Sequence, residues 1–235
     1  MKRVVVHYDT APELLEGRRR AQQGNTTLII CSSKKQFLQQ LIPFLSVRQP
    51  TQAVACKEDT EAEDTHQNQR PHFLLDPTLQ LMSISKATKL AFCPTINTLR
   101  AHLSSLTILD HTESAPRPSL IIVDLILLHH ATSEFSVQGL MRSLAAAVEA
   151  AARNKVDLQL CECRDVHDLE NPDRGARLWD AQVPLLSGSV RLRDEDAGWS
   201  GRLVLVRAIV GRWFEFEKTE EAKGDRVTED EEMLV

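Results

Sequence analysis

Leu120-Ile121-Ile122-Val123-Asp124 is the stretch on which the fold turns. Four large aliphatic residues in succession leave a strand no polar face, so both faces must be buried. That is the situation of a parallel sheet covered by helices on either side. The break Ser114-Ala115-Pro116-Arg117-Pro118 stands before it. After it, Val137, Leu140, Met141, Leu144, Val148, Ala151 and Ala152 recur at helical spacing, with Arg142, Glu149 and Arg153 on the opposite side. A strand over residues 156–162 follows that helix. Strand, helix, strand in this order predicts an α/β unit.

The same pattern extends toward the N-terminus. Thr26 to Cys31 is β-rich and almost wholly apolar, which predicts a second buried strand, a parallel neighbour of Leu120–Asp124. Ser32-Ser33-Lys34-Lys35 leads from it into a helical face of Phe37, Leu38, Leu41, Ile42 and Leu45, limited or kinked by Pro43. Lys89 to Cys93 reads as a short strand, and Thr95 as the cap of a helix carrying Leu99, Leu103 and Leu106. Leu79 to Ile84 fits a helix turn or a strand. Gln52 to Cys56 is a weak strand pattern, and residues 57–71, apolar only at Ala62, read as a solvated loop. At the start, Arg3 to Tyr8 predicts a short strand. Thr10-Ala11-Pro12-Glu13 is a capping box for a helix from Ala11 to Gln23 that stops at Gly24-Asn25.

Beyond a loop over residues 164–177 the pattern changes. Residues 189–193, 202–207 and 212–216 read as adjacent strands with Gly198 and Gly211 in the turns. The expected architecture is α/β, a mainly parallel sheet with antiparallel C-terminal strands. Residues 1–25 form an N-terminal strand/helix extension, 26–217 the core, and 218–235 an acidic disordered tail.

The chain has 235 residues with a formal net charge of -5. Nine acids and three bases lie from Glu215 onward, so the preceding residues hold 25 bases against 24 acids. A nearly neutral body has no broad basic field, and nucleic-acid contact would need a local patch. The five cysteines, Cys31, Cys56, Cys93, Cys161 and Cys163, are scattered and odd in number. With an N-terminal apolar run too short for a signal peptide, they predict reduced thiols in the cytosol or nucleus. No apolar run has the roughly 18 residues a membrane span needs.

A buried strand, a polar loop with Lys34-Lys35 and then a helix is the layout of a phosphate-binding loop. A buried strand ending in Asp124 is the layout of a magnesium-binding carboxylate strand. Their order suits a P-loop ATPase of the RecA type. Phosphate binding, however, needs glycines that turn backbone amides inward, followed by Lys-Ser/Thr. Ser32, Ser33, Lys34 and Lys35 include no glycine, and Gln36 takes the place of the hydroxyl. Ser32, Ser33, Lys34, Lys35 and Asp124 therefore form at most a degenerate nucleotide site, with ATP possible, no cofactor expected and no hydrolysis.

Leu75-Asp76-Pro77, Lys89 to Thr95, the leucine-bearing helix, the Pro-rich break and Leu120–Asp124 follow one another in an order that resembles the SWSAP-like RecA-recombinase paralogues, small subunits of Shu complexes, including fungal forms. Trp179 to Ser187, Val190 to Leu192, Arg202 to Arg207 and Arg212 to Phe216 are similar to the closing strands of recombinase paralogues. The likeness covers about residues 26–217. It implies a non-hydrolysing RecA-like subunit of a recombination-mediator complex that helps a recombinase filament assemble on single-stranded DNA. It implies a SWIM-domain zinc-finger protein and other recombinase paralogues as partners, and a nuclear location. A RecA-fold scaffold of an Elongator-type tRNA-modification complex and a weak ATPase completed by a partner are the alternatives.

Arg164, Arg174 and Arg177 lie in the loop that faces DNA in RecA-like folds, so the resemblance makes them DNA-binding candidates. Asp165, Asp168, Glu170 and Asp173 nearly neutralise them. Arg18, Arg19 and Arg20 on the first helix are second candidates, a solvated helix face being the plain alternative. Cys161 and Cys163 share a strand face near His167, but zinc would need a fourth ligand, and reduced core cysteines fit better. His129 and His130 read as surface or loop histidines.

Overall fold

The computed structural model describes residues 1–20, 25–46, 73–75, 78–108, 117–186 and 203–217. Its main sheet holds six strands. These are β1 (Arg3–Val5), β2 (Thr26–Ile30), β3 (Thr88–Phe92), β4 (Ser119–Val123), β5 (Asp157–Cys161) and β8 (Glu215–Phe216), in the order β3-β2-β4-β5-β1-β8. Every pairing in this sheet is parallel. β2 and β4 are neighbours, Ile30 opposite Val123, as the two apolar runs predicted.

Two core layers flank the sheet, because alternate residues of each buried strand point to opposite faces. Val5, Ile29, Leu120, Ile122, Leu158 and Leu160 face one side. There they pack against helices α4 (Ile96–Ser105), α5 (Leu125–His130), α6 (Val137–Asn154) and α7 (Val206–Val210). Val4, Val6, Leu28, Ile30, Ile121, Val123 and Cys161 face the other side. They are covered by α1 (Ala11–Arg20) through Ala11 and Leu14, and by α2 (Lys34–Ser46) through Phe37. Helices on both faces of a parallel sheet make a doubly wound α/β fold.

The structure corrects the expected organisation in three places. β1 is not an appendage but lies inside the sheet between β5 and β8. Val4, Val5 and Val6 are all buried, so this run carries the same two-faced signal as β2. The stretch over residues 202–207 is a strand only at β7 (Leu203–Leu205), antiparallel to β6 (Gln182–Pro184) in a separate two-stranded sheet. From Val206 the chain turns helical, because Val206, Ile209 and Val210 present helical spacing to the core. Glu215–Phe216 then joins the main sheet in parallel with β1 rather than continuing an antiparallel run.

Other local expectations meet the structure directly. Leu79 to Ile84 is helical, within α3 (Leu79–Ala87). α2 continues past Pro43 to Ser46. Thr95 caps α4 through a reciprocal bond with Thr98. Thr10 Oγ accepts from the Glu13 amide at 3.4 Å while Glu13 Oε2 accepts from the Thr10 and Asp9 amides. The strand over residues 52–56, the loop over 57–71, the strand over 189–193 and the tail over 218–235 lie outside the described residues. Among the described residues no helix is long and apolar enough to cross a membrane.

Candidate functional site at the carboxyl end of the sheet

In an open α/β sheet, ligands enter beside strands whose outgoing connections run to opposite faces. Three such points exist among the described strands, one of them between β2 and β3, since β3 leads into α4 on the face opposite α2. β2 leads into α2 on one face while its neighbour β4 leads into α5 on the other. β1 leads into α1 while its neighbour β5 leads toward the face that carries α7.

The chain after β5 spans the point between β2 and β4. Asp165 accepts from the Gln40 side chain on α2 at 3.0 Å, and Gln40 Oε1 accepts from the Val166 amide at 2.8 Å. His167 Nε2 lies 3.2 Å from the Gln39 carbonyl of the same helix. Farther along, Arg174 reaches back with one terminal nitrogen 3.5 Å from Asp124 and the other 3.5 Å from Asp165. Residues 164–174 thus form a strap from the end of β5 across β4 to α2. Gly175, at φ +70, holds the strap's return close against Arg164, and a Cβ there would stand 2.7 Å from Arg164 Cγ.

Asp124 sits under this strap in the left-handed region, φ 60 and ψ 38. Aspartate tolerates that conformation better than most residues. Its side chain does not cap α5. Instead Oδ1 accepts from the Cys163 amide at 2.9 Å, so β4 and β5 are stitched together one residue beyond their ladder. The α5 amides are served by the next carboxylate, Glu162, which accepts from Ile126 at 2.7 Å and Leu127 at 3.2 Å.

Burial pushes both carboxyls upward, Glu162 strongly, with the nearby Asp124 charge a second cause at Glu162. The Cys163 amide and Arg174 pull Asp124 back in part. At Asp165 burial also raises the carboxyl, but the His167 amide, Gln40 and Arg174 outweigh it and hold it below its ordinary value. Burial, then Glu162 and Asp124, hold the Cys31 thiol well above its usual range. The cluster is an internal ion network with Arg174 as its cation, and the Arg174 Nε is buried with no hydrogen-bond partner.

The turn of the degenerate nucleotide site, Ser32 to Gln36, caps α2. Ser33 Oγ accepts from the Gln36 amide at 3.2 Å, and Gln36 Oε1 accepts from the Ser33 amide at 3.0 Å. Gln36, conspicuous in the sequence as the missing hydroxyl, closes a capping box. Ser32 is half-buried, with its hydroxyl 3.5 Å from the Ser33 carbonyl. Lys34 and Lys35 are exposed and have no ion-pair partner among the described residues.

Each loop arginine has an acid beside it. Arg164 stands 3.3 Å from Asp9, and Arg177 donates to Glu170 at 2.7 Å. These two are exposed, whereas Arg174 points inward. Arg18, Arg19 and Arg20 fall in the last turn of α1. Cys161 and Cys163 are buried free thiols with sulfurs 3.9 Å apart, and no metal-holding group of His, Cys, Asp and Glu occurs among the described residues.

His129 overturns its expected place at the surface. It is fully buried, with Nδ1 3.1 Å from the Glu134 carbonyl and Nε2 3.0 Å from Ser143 Oγ. A carbonyl only accepts, so Nδ1 carries the proton and Nε2 accepts from the Ser143 hydroxyl. Ser143 Oγ in turn accepts from Arg100 Nε, and Arg100 pairs with Glu134 at 2.5 Å. Burial, above all, lowers the His129 pKa to about 4, so the ring is neutral. The helical spacing that fixes Ser143 on the inner side of α6 was readable in the sequence. The pairing with His129 was not, because α5 gives only six residues of pattern.

Comparison with known proteins found no matching family model, no curated relative and no solved structure.

Proposed function

We propose that this chain is a non-hydrolysing RecA-like subunit of a recombination-mediator complex of the Shu type. On this reading it works by assembly, holding a SWIM-domain zinc-finger protein and other recombinase paralogues while a recombinase filament forms on single-stranded DNA in the nucleus. The observation that carries the absence of turnover is the strap. The ligand-entry point between β2 and β4 is spanned by the chain's own residues 164–174. The glycine-free turn beside it is committed to capping α2. A doubly wound sheet without a served phosphate site retains its surfaces, and surfaces are what an assembly subunit needs.

The decisive experiment is co-expression with a SWIM-domain zinc-finger protein and recombinase paralogues, followed by purification, ATP turnover and single-stranded DNA anisotropy. A stoichiometric complex that binds DNA and shows no turnover attributable to this chain is the expected result. A complex with Elongator subunits instead would overturn it. That second reading gains weight from one observation, the acid beside each of Arg164, Arg174 and Arg177.

A further inference from the structure

Charge is divided unevenly across the sheet. Residues 25–46 and 78–108, which make β2, α2, α3, β3 and α4, contain no aspartate or glutamate. Their bases are Lys34, Lys35, Lys86, Lys89 and Arg100. Arg100 is tied to Glu134, but the four lysines are exposed and unpaired among the described residues. The near-neutral total conceals two described segments whose charged side chains are all basic.

These segments include a strand that ends the described sheet. Among the described residues β3 has a neighbour only on its β2 side. The Cys93 amide bonds to the Ile30 carbonyl, so alternation turns the backbone groups of Leu90 and Phe92 away from β2. Leu90, level with Leu28, is 54% exposed, and Leu79 and Met82 of α3 are exposed as well, Leu79 by 86%. A strand edge with outward backbone groups, exposed aliphatic side chains and two lysines unpaired among the described residues is a template for strand addition.

We propose that the β3 edge is a docking surface for an extended, acidic and aliphatic segment of a partner protein. The segment adds as a seventh strand, its backbone pairing with Leu90 and Phe92, its aliphatic residues covering Leu90 and its carboxylates meeting Lys86 and Lys89. Protein is favoured over nucleic acid because exposed leucine and methionine gain nothing from phosphates. The half-buried rings here, Phe37 and Phe92, pack on each other at 5.9 Å rather than offering a stacking platform. The inference rests on the reading of the chain as an assembly subunit, but not on which complex it serves.

The test uses the full chain and a fluorescent peptide of about twelve residues alternating glutamate and valine. Its lysine–valine counterpart and an oligothymidylate of similar charge serve as comparisons. The acidic peptide should bind, and the K86E/K89E variant should bind it roughly tenfold more weakly. Leu90→Pro removes an outward amide and should abolish binding while leaving the β2 ladder intact. The circular dichroism of K86E/K89E, a surface change, serves as the folding control. Binding of the oligothymidylate but not the peptide, binding of neither, or a peptide affinity unmoved by K86E/K89E would overturn the proposal. None of these outcomes bears on whether the complex is of the Shu type, which co-purification decides separately.

Discussion

Arg174 and Asp124 meet at 3.5 Å over the end of β4, fifty residues apart in the chain. The contact ties the loop after β5 to the residue that turns β4 into α5. The carboxylate an α/β nucleotide site would offer to a metal is thereby engaged from one side by Cys163 and from another by a guanidinium.

Removing the cation leaves Asp124 and Glu162 buried without it. Arg174→Ala should lower unfolding free energy by about 1–3 kcal/mol, less than for a fully sealed pair because the carboxyls can take up a proton. Asp124→Asn in the same chain should recover part of the loss. Urea denaturation of the two single variants and the double variant gives the coupling. Additive losses would show that the contact carries no energy of its own.

Acid should destabilise the protein through His129. Its folded pKa, about 4, lies below the unfolded value of 6.5, so at intermediate pH only the unfolded chain takes the proton. The stability present above pH 6.5 is lost as pH falls toward 4, by up to about 3 kcal/mol. Glu162 acts in the opposite sense, since its raised folded pKa means that protonation relieves a penalty. Comparing wild type with His129→Gln across that window isolates the histidine. Parallel stability curves would show that the ring does not titrate as its burial requires.

The two readings of Ser32 to Gln36 separate in a stability measurement. As a cap, Ser33→Ala should cost about 1 kcal/mol, and Lys34→Ala and Lys35→Ala should stay within about 0.5 kcal/mol. ATP turnover by the isolated chain should be negligible and unaffected by either lysine variant. Hydrolysis abolished by Lys34→Ala or Lys35→Ala and by Asp124→Ala would restore the phosphate-loop reading.

How much of this was legible in the sequence depended on how many faces each element buries. β2 and β4 were readable because runs such as Leu28-Ile29-Ile30 admit only one environment, and their adjacency followed from the helical patterns after them. Val4 to Val6 carried the same signal, but so short a run does not reveal that it sits inside the sheet. Val204 to Val210, apolar except at Arg207, has both periods present, and helix prevailed from Val206 because the core needed Ile209 and Val210. Within the site, Asp124 was visible as a carboxylate at a strand end. Its partners were not, because Arg174 and Gln40 converge from distant segments without periodicity. A charge count by segment rather than by chain would have exposed the two segments whose charges are all basic.

Exposure separates the three loop arginines. If the loop after β5 touches single-stranded DNA in a reconstituted complex, the contacts fall to Arg164 and Arg177, whose side chains are about half exposed. Each is held by a single exposed acid, Asp9 or Glu170, and such pairs are worth at most about 1 kcal/mol, little enough for phosphate to displace. Arg174 is held by two carboxylates and largely buried, so phosphate cannot reach it without opening the strap. Deleting one arginine that touches a phosphate should reduce the slope of log affinity against log salt by roughly 0.7 for a single strand. Arg164→Ala and Arg177→Ala should therefore flatten the salt dependence with stability little changed. Arg174→Ala should lower stability and leave the slope alone. A slope reduced by Arg174→Ala in a folded protein would place Arg174 at the phosphate and mean that the strap opens when DNA binds. A slope unmoved by all three variants would remove this loop from the DNA interface.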